Sequence, residues 1–361
     1  MSFKLFAFIS KLKPPIAIYL LSFFFLSGCS PLYILRAAYE EGKILWRREP
    51  IEGLLEKPDL DAQTREKLRL VLAVRDYARD SLKFRVGGSY ASYSYVDRDA
   101  LSYVLMAVAK TSLRPYTWWF LFVGRVPYKG FFSEEAARAE AEGFEAEGYD
   151  VYVRTTPAFS TLGWFDDPLL AHLLRYDEVT LAQIVFHELF HNTLFLSGGL
   201  DFNESVANFV GNRAAILFFR DRYGEDSPHL QKAQQAWQEE LEFSRFIVRV
   251  GRSLEDLYAA DLALDEKLRM REEIFQKSKQ DWAKRIADRP AHRFRGYAQQ
   301  KVNNAVIAHY LLYVRELDLF ESLYEARGGD LEGTVASIEK SVRNHRDPFE
   351  AVRQLLASPG H

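Results

Sequence analysis

The chain of 361 residues has a single cysteine, Cys29, and this scarcity excludes an internal disulfide and a cysteine-rich metal site. Charge of one sign is also lacking. Lys and Arg number 47 against 50 Asp and Glu, a net charge of -3 that provides no basic field for nucleic acid. The two signs are interspersed along the chain, as on the surface of a soluble protein. No apolar run is long enough to cross a bilayer comfortably, which takes about 20 residues. Internal repeats and low-complexity linkers are absent too. What the sequence does have is hydrophobicity: 48% of residues are hydrophobic and 14% aromatic, enough for a sizeable core in one large domain or two ordinary ones.

The N-terminus departs from the average. Lys4, Lys11 and Lys13 precede a short apolar run from Ile16 to Leu26 that ends Leu26-Ser27-Gly28-Cys29. Basic start, short apolar middle and small residues before a cut read as a signal peptide over 1–28. The alternative is a plain signal anchor with an incidental cysteine. The residues before Cys29 resemble the lipobox of bacterial lipoproteins. That resemblance implies that Cys29 is lipidated, that it becomes the first mature residue, and that the chain faces the periplasm. Ser30 after it implies the outer membrane. A lipidated Cys29 leaves no thiol for catalysis.

Beyond Cys29, helical spacing over Tyr33–Trp46 and Asp61–Phe84 predicts two helices. Gly87-Gly88 breaks the pattern, and Ser89–Val96 and Thr117–Val126 read as strands. Ser133–Glu147 has a serine cap and stops at Gly148, and Tyr149–Thr156 returns to alternation, giving a strand-helix-strand layer. Pro157–Asp167 is irregular. From Pro168 onward helices dominate: Leu181–Leu196 up to a Ser197-Gly198-Gly199 stop, then Asn203–Tyr223. Long charged helices follow over His229–Arg285, another over Gly296–Glu325, and two short ones over Asp330–Ser358. The expected organisation is a mixed α/β part at 29–180, a pair of helices at 181–223 and a helical part at 224–361. Together, residues 29–361 form one unit of α+β class, with a cleft between its halves.

His187-Glu188-Leu189-Phe190-His191 carries the chemistry. Residues four apart share a helix face, so His187 and His191 can present two imidazole nitrogens to one ion. Glu188 lies too close to His187 to be a comfortable ligand, but it can accept a proton from a water that zinc has acidified and pass it to the leaving amine. A catalytic zinc needs a third protein ligand and an open position, and without spare cysteine the third must be His, Glu or Asp. The Gly-Gly turn lets the next helix pack antiparallel to the first, which places Glu204 well for the role. The alternative reading of Asp201-x-x-Glu204 is a capping box, with Glu204 serving only the helix terminus. Asn208 shares a face with Glu204 and is a candidate to orient it. Tyr297, His309 and Tyr310 are candidate donors to an oxyanion, although aromatic residues in helices more often pack in cores. Asn303-Asn304 reads as a hydrogen-bonded helix contact, and Ser160–Phe165 as either a substrate-pairing edge or a buried turn.

His187-Glu188-x-x-His191 followed by Asn203-Glu204-x-x-Ala207 resembles the gluzincin pattern, in which a glutamate on the next helix is the third metal ligand. More narrowly, the chain resembles the predicted aminopeptidase family of bacterial lipoproteins. The likeness is carried by Val123–Phe132, Ser160–Pro168 and Asn203–Gly211. It implies a zincin-like fold, a single zinc ion on His187, His191 and Glu204, Glu188 as general base, and a peptide or protein substrate. Two alternatives stay open: an endopeptidase of envelope quality control, and a lipoprotein scaffold whose zinc is structural.

Overall fold

The computed structural model describes residues 42–95, 102–120, 124–156, 166–343 and 345–358. The signal segment, Cys29 and Ser160–Phe165 lie outside the described residues. Residues 42–46, the described end of the expected Tyr33–Trp46 helix, are helical. Strand β1 (Arg48–Pro50), the short helix α1 (Ile51–Leu55) and helix α2 (Ala62–Asp80) follow, and then β2 (Ser92–Ser94). Strands β3 (Ser102–Ala109), β4 (Trp118–Phe120), β5 (Gly124–Val126) and β6 (Lys129–Phe131) precede helix α3 (Glu134–Ala146) and strand β7 (Tyr149–Thr156). Strand β8 (Leu169–Leu170) leads into the helical half.

That half begins with α4 (Glu178–His191) and α5 (Leu200–Tyr223), continues with α6 (Pro228–Ala259) and α7 (Leu264–Arg285), and then breaks into shorter helices. These are α8 (Arg295–Gln299), α9 (Asn304–Val314), α10 (Leu317–Ala326), α11 (Leu331–Val342) and α12 (Pro348–Ala357). The protein is therefore mixed α+β, mostly helical, with small sheets. Among the described residues no helix is long and apolar enough to cross a membrane.

The helix and the second strand of the expected strand-helix-strand layer form, but the first strand does not join them. Thr117–Val126 supplies β4 and β5, which pair in a separate two-stranded sheet. Strand β7 pairs instead with β3, which the sequence reading did not single out, in a sheet of order β6-β3-β7, antiparallel throughout. Strand β3 shows how period-two alternation positions the layers. Leu105 and Ala107 pack with Ala137 and Ala141 of α3 on one face, while Met106 and Val108 pack with Ala305, Ala308 and Leu312 of α9 on the other. The sheet is thus clamped between α3 and α9. A second apolar cluster runs from Ile51 to Val352 and joins the N-terminal helices to the last one. Strand β2 is shorter than the Ser89–Val96 expectation, because Tyr90 sits at a left-handed φ of 59° that no strand accommodates.

Two helical expectations need correction. The stretch Gly296–Glu325 is three helices. Asn303 is extended and caps α9, its Oδ1 accepting from the Val306 N–H, and Glu316 takes a left-handed φ of 57° just before α10. The first metal-motif helix ends at His191, short of the glycine stop. There Asn192 caps it, the Thr193 hydroxyl accepts the Arg85 N–H at 2.9 Å, and Asn192 donates to Ser89. Its start is fixed by Asp177, whose carboxylate accepts from the Val179 and Thr180 N–H groups.

Asn304 is a structural hub, in line with its reading as a hydrogen-bonded contact. Its side chain donates to Ala109 and Ser112 carbonyls and accepts from the Tyr258 hydroxyl, while its N–H donates to Asp150. Asp150 also receives both guanidinium arms of Arg271, at 2.7 and 3.1 Å, in a buried pair that ties α7 to β7. Removing one partner of such a pair leaves a charge stranded away from water, at a cost of about 3–5 kcal/mol. Arg271→Met is expected to lower the denaturant midpoint by a corresponding amount, read by chemical unfolding. A shift below about 1 kcal/mol, the scale of surface pairs, would show that the pair is not structural.

Candidate metal centre

Helix α4 is anchored by Val179, Leu181, Val185, Phe186, Leu189 and Phe190, each at most 1% exposed. At about 1.5–3 kcal/mol for each large apolar side chain buried, these residues outweigh the cost of holding polar groups beside them away from water. Helix α5 runs against α4. A Cβ at Gly211 would stand 2.9 Å from the Gln183 carbonyl oxygen and 3.1 Å from His187 Cβ, so glycine is what allows the two backbones to close at the motif.

The turn between the helices is held by Asn203. Its side chain accepts the Leu196 N–H at 2.9 Å and donates to the Leu196 carbonyl at 2.8 Å. Farther along, Gln183 of α4 donates to Asn212 of α5 at 2.8 Å, and Asn212 donates to Asn208.

This frame brings His187, His191 and Glu204 together. Their donor atoms all lie within 4.8 Å of one another, and they are the only group of this kind among the described residues. The separations are 3.2 Å between the two Nε2 atoms, 3.4 Å from His187 Nε2 to Glu204 Oε2 and 3.7 Å from His191 Nε2 to Glu204 Oε1. An ion held tetrahedrally at about 2.0–2.1 Å from each donor keeps those donors about 3.3 Å apart. The donor triangle therefore fits one metal ion. The His187 side chain is 16% exposed and that of His191 only 4%, so the open side lies toward His187.

The capping box is not formed. Helix α5 is capped at Gly199 without a side-chain bond, Asp201 pairs with Arg315 at 3.0 Å, and the Glu204 carboxylate turns to the histidines. Nor does Asn208 orient Glu204. Its amide donates instead to Glu240 and to the Tyr313 carbonyl, both at 3.0 Å. Tyr297 shares a hydrogen bond with Ser278, and Tyr310 accepts from Gln300 with its ring against Phe243, so both are core residues. His309 is ringed by Tyr152, Tyr310 and Tyr313.

Charges divide the four motif residues. Burial pushes Glu188 up to about 7, with the Glu204 and Asp167 charges adding to it against His187. Burial takes His191 down to about 4, so its imidazole is neutral. Burial works the same way on His187, but its hydrogen bond to Glu204 and the nearby carboxylates outweigh it and raise the group. Glu204 is correspondingly lowered, because the two histidines and Arg154 overcome its burial.

Several residues around the site carry no local sequence signal of a role. Tyr90 is buried beside Glu188 and Asp167. Tyr128 and Tyr313 lie in the field of both Glu204 and Glu188, and Arg154 bonds the Tyr313 hydroxyl. Only Tyr128 fell within a stretch that carried the family likeness.

The family model described as "Putative aminopeptidase" matches residues 32–349. The chain belongs to this family. No curated protein and no solved structure matches the chain. Membership assigns peptide-bond hydrolysis, with a peptide or protein as substrate, to a chain whose metal-ready cluster stands within the matched span.

Two measurements check this geometry. Gly211→Ala forces a methyl group against the α4 backbone and is expected to cost about 1–3 kcal/mol and to weaken metal binding, read together by unfolding and by metal titration. Wild-type values for both would show that the close approach is not required. In addition, a metal ion must displace the proton that Glu204 holds on His187. Because that group is raised above its ordinary 6.5, metal affinity is expected to fall as pH drops through and below neutrality, with His191 adding nothing until about pH 4. Calorimetry in buffers of different ionisation enthalpy should show proton release at pH 6, diminishing at high pH.

Proposed function

We propose that the chain is a zinc-dependent metallopeptidase of gluzincin type with a zincin-like fold, acting as an aminopeptidase. The observation that carries this reading is the donor triangle of two imidazole nitrogens and one carboxylate oxygen, spaced 3.2–3.7 Å, with the motif carboxylate Glu188 beside it. Two histidines and a glutamate form a known ligand set for catalytic zinc. Among the described residues only three ligands converge, which supports an open position for chemistry over a closed structural site. The lipobox-like Leu26–Cys29 supports removal of 1–28 and anchoring through a lipid on Cys29 in the cell envelope, periplasm-facing and on the outer membrane. Residues 29–361 then act as one catalytic unit.

In the mechanism, His187, His191 and Glu204 would hold the ion. When bound, zinc lowers the pKa of water toward about 7 and polarises the scissile carbonyl. Glu188 takes the proton of the attacking water and returns it to the leaving amine. Burial makes its carboxyl a better proton acceptor than a solvated glutamate, while a cation on the three donors would favour its ionised form. Apolar α4 residues on the helix's buried face keep bulk water from the back of the site.

The reading is tested by metal content and by one substitution. Purified protein is expected to carry one equivalent of zinc and to cleave peptides with a free N-terminus while sparing N-terminally blocked ones. Glu188→Gln should retain the zinc and lose about 10²–10⁴ in rate. Undiminished hydrolysis in that variant would remove Glu188 from the mechanism, and cleavage of blocked peptides would make the enzyme an endopeptidase.

A further inference from the structure

Water attack on a peptide carbonyl puts negative charge on the carbonyl oxygen, and Glu188 and the three donors are all acceptors or ligands that offer that oxygen no hydrogen. A donor has to come from elsewhere. The end of α9 supplies one. Tyr313 is fixed to α5 on the same side as Glu204: its carbonyl accepts from Asn208 at 3.0 Å, and Ser205, next to Glu204, bonds both the Leu312 carbonyl and the Arg315 N–H. On the other side, Arg154 of β7 donates from Nη2 to the Tyr313 hydroxyl oxygen at 3.1 Å.

That bond uses a lone pair of the phenol and leaves its hydrogen without an acceptor among the described residues. Among the described residues the guanidinium's other hydrogen bond goes to the Thr155 carbonyl, and it makes no ion pair with a carboxylate there. Burial and the charges of Glu204 and Glu188 hold the phenol in its protonated, donating form, while Arg154 acts against them and polarises the O–H. Tyr128 shares the same field but, among the described residues, has no hydrogen bond to aim its hydroxyl.

We propose that Tyr313 is a catalytic residue that donates a hydrogen bond to the oxyanion, with Arg154 as the positioning residue that orients and polarises its hydroxyl. As the water oxygen bonds to the carbonyl carbon, the C=O electron pair moves to oxygen, where Tyr313 stabilises it without giving up its proton. The pair returns as the C–N bond breaks and Glu188 protonates the leaving amine. This rests on the hydrolytic reading of the site given above.

The experiment compares the wild-type protein, Tyr313→Phe, Tyr128→Phe, Arg154→Met and Arg154→Lys. For each it measures zinc content, kcat and KM on a free peptide, and calorimetric affinity for a phosphonate dipeptide analogue, whose tetrahedral oxygens mimic the intermediate. Tyr313→Phe is expected to keep zinc and KM, to lose about 10²–10³ in kcat, and to bind the phosphonate more weakly by a similar factor. Arg154→Met should show a smaller loss of the same kind, partly recovered in Arg154→Lys. An unchanged kcat in Tyr313→Phe, a loss that appears in KM or zinc content instead, or an equal loss in Tyr128→Phe overturns the assignment. Wild-type protein that neither hydrolyses peptide nor binds the phosphonate overturns the hydrolytic reading itself, a result distinct from any failure confined to Tyr313.

Discussion

The site depends on how closely α4 and α5 approach at Gly211. At that point α5 presents bare backbone to the Gln183 carbonyl and to His187, and any side chain would wedge the helices apart. Donor atoms now 3.2–3.7 Å apart tolerate little separation, since a metal ion cannot lengthen its bonds to follow. The other links between the helices keep this spacing along their length. Asn203 clasps the turn through both backbone groups of Leu196, and the buried Gln183–Asn212–Asn208 chain sets the register. Polar bonds of this kind specify one alignment where apolar packing alone would accept several.

The sheet reaches the site through α9. One face of α9 packs on Met106 and Val108, and its opposite end is stitched to Ser205 and Asn208. At its start, Asn304 and Asp150 fasten it to β7 and, through Arg271, to α7. A helix secured at both ends transmits position well. Arg154 enters from β7 and Tyr313 from α9, so their meeting depends on the sheet and the helix being in register. This gives the small sheet a role in the chemistry although it contributes no metal donor.

The parts legible in the sequence were those whose signal is local. The i, i+4 histidines needed only helical periodicity, and Glu204 needed only that a Gly-Gly turn folds the chain back. Helices α2, α11 and α12 followed from periodicity, and α3 from its Ser133 cap as well. The end of α4 was misjudged because it is set by Arg85 and Ser89, about a hundred residues away. Helix α9 was merged with its neighbours because Asn303 caps it from within an apolar run whose period continues on both sides. Asn208 was misread for a related reason: it does face inward near Glu204, but Glu240 and Tyr313 arrive from distant segments and take its amide. Tyr313 was passed over in favour of Tyr310 three residues earlier. Only tertiary packing distinguishes a tyrosine against Phe243 from one bonded to Arg154.

Electrostatics shows what this arrangement is suited to hold. Glu188, Glu204 and Asp167 bring three carboxyl groups into a region from which water is largely removed, and a neutral His191 does nothing to offset them. The protein's own response is to raise His187, in effect binding a proton against Glu204. A proton compensates one charge at one edge of the triangle, whereas a divalent ion at its centre compensates two and meets all three donors at once. Donor chemistry then discriminates among such ions. Calcium and magnesium favour shells made entirely of oxygen, and two imidazoles with one carboxylate are not such a shell. The cluster therefore combines the charge and the spacing for one divalent ion, with its open side toward His187.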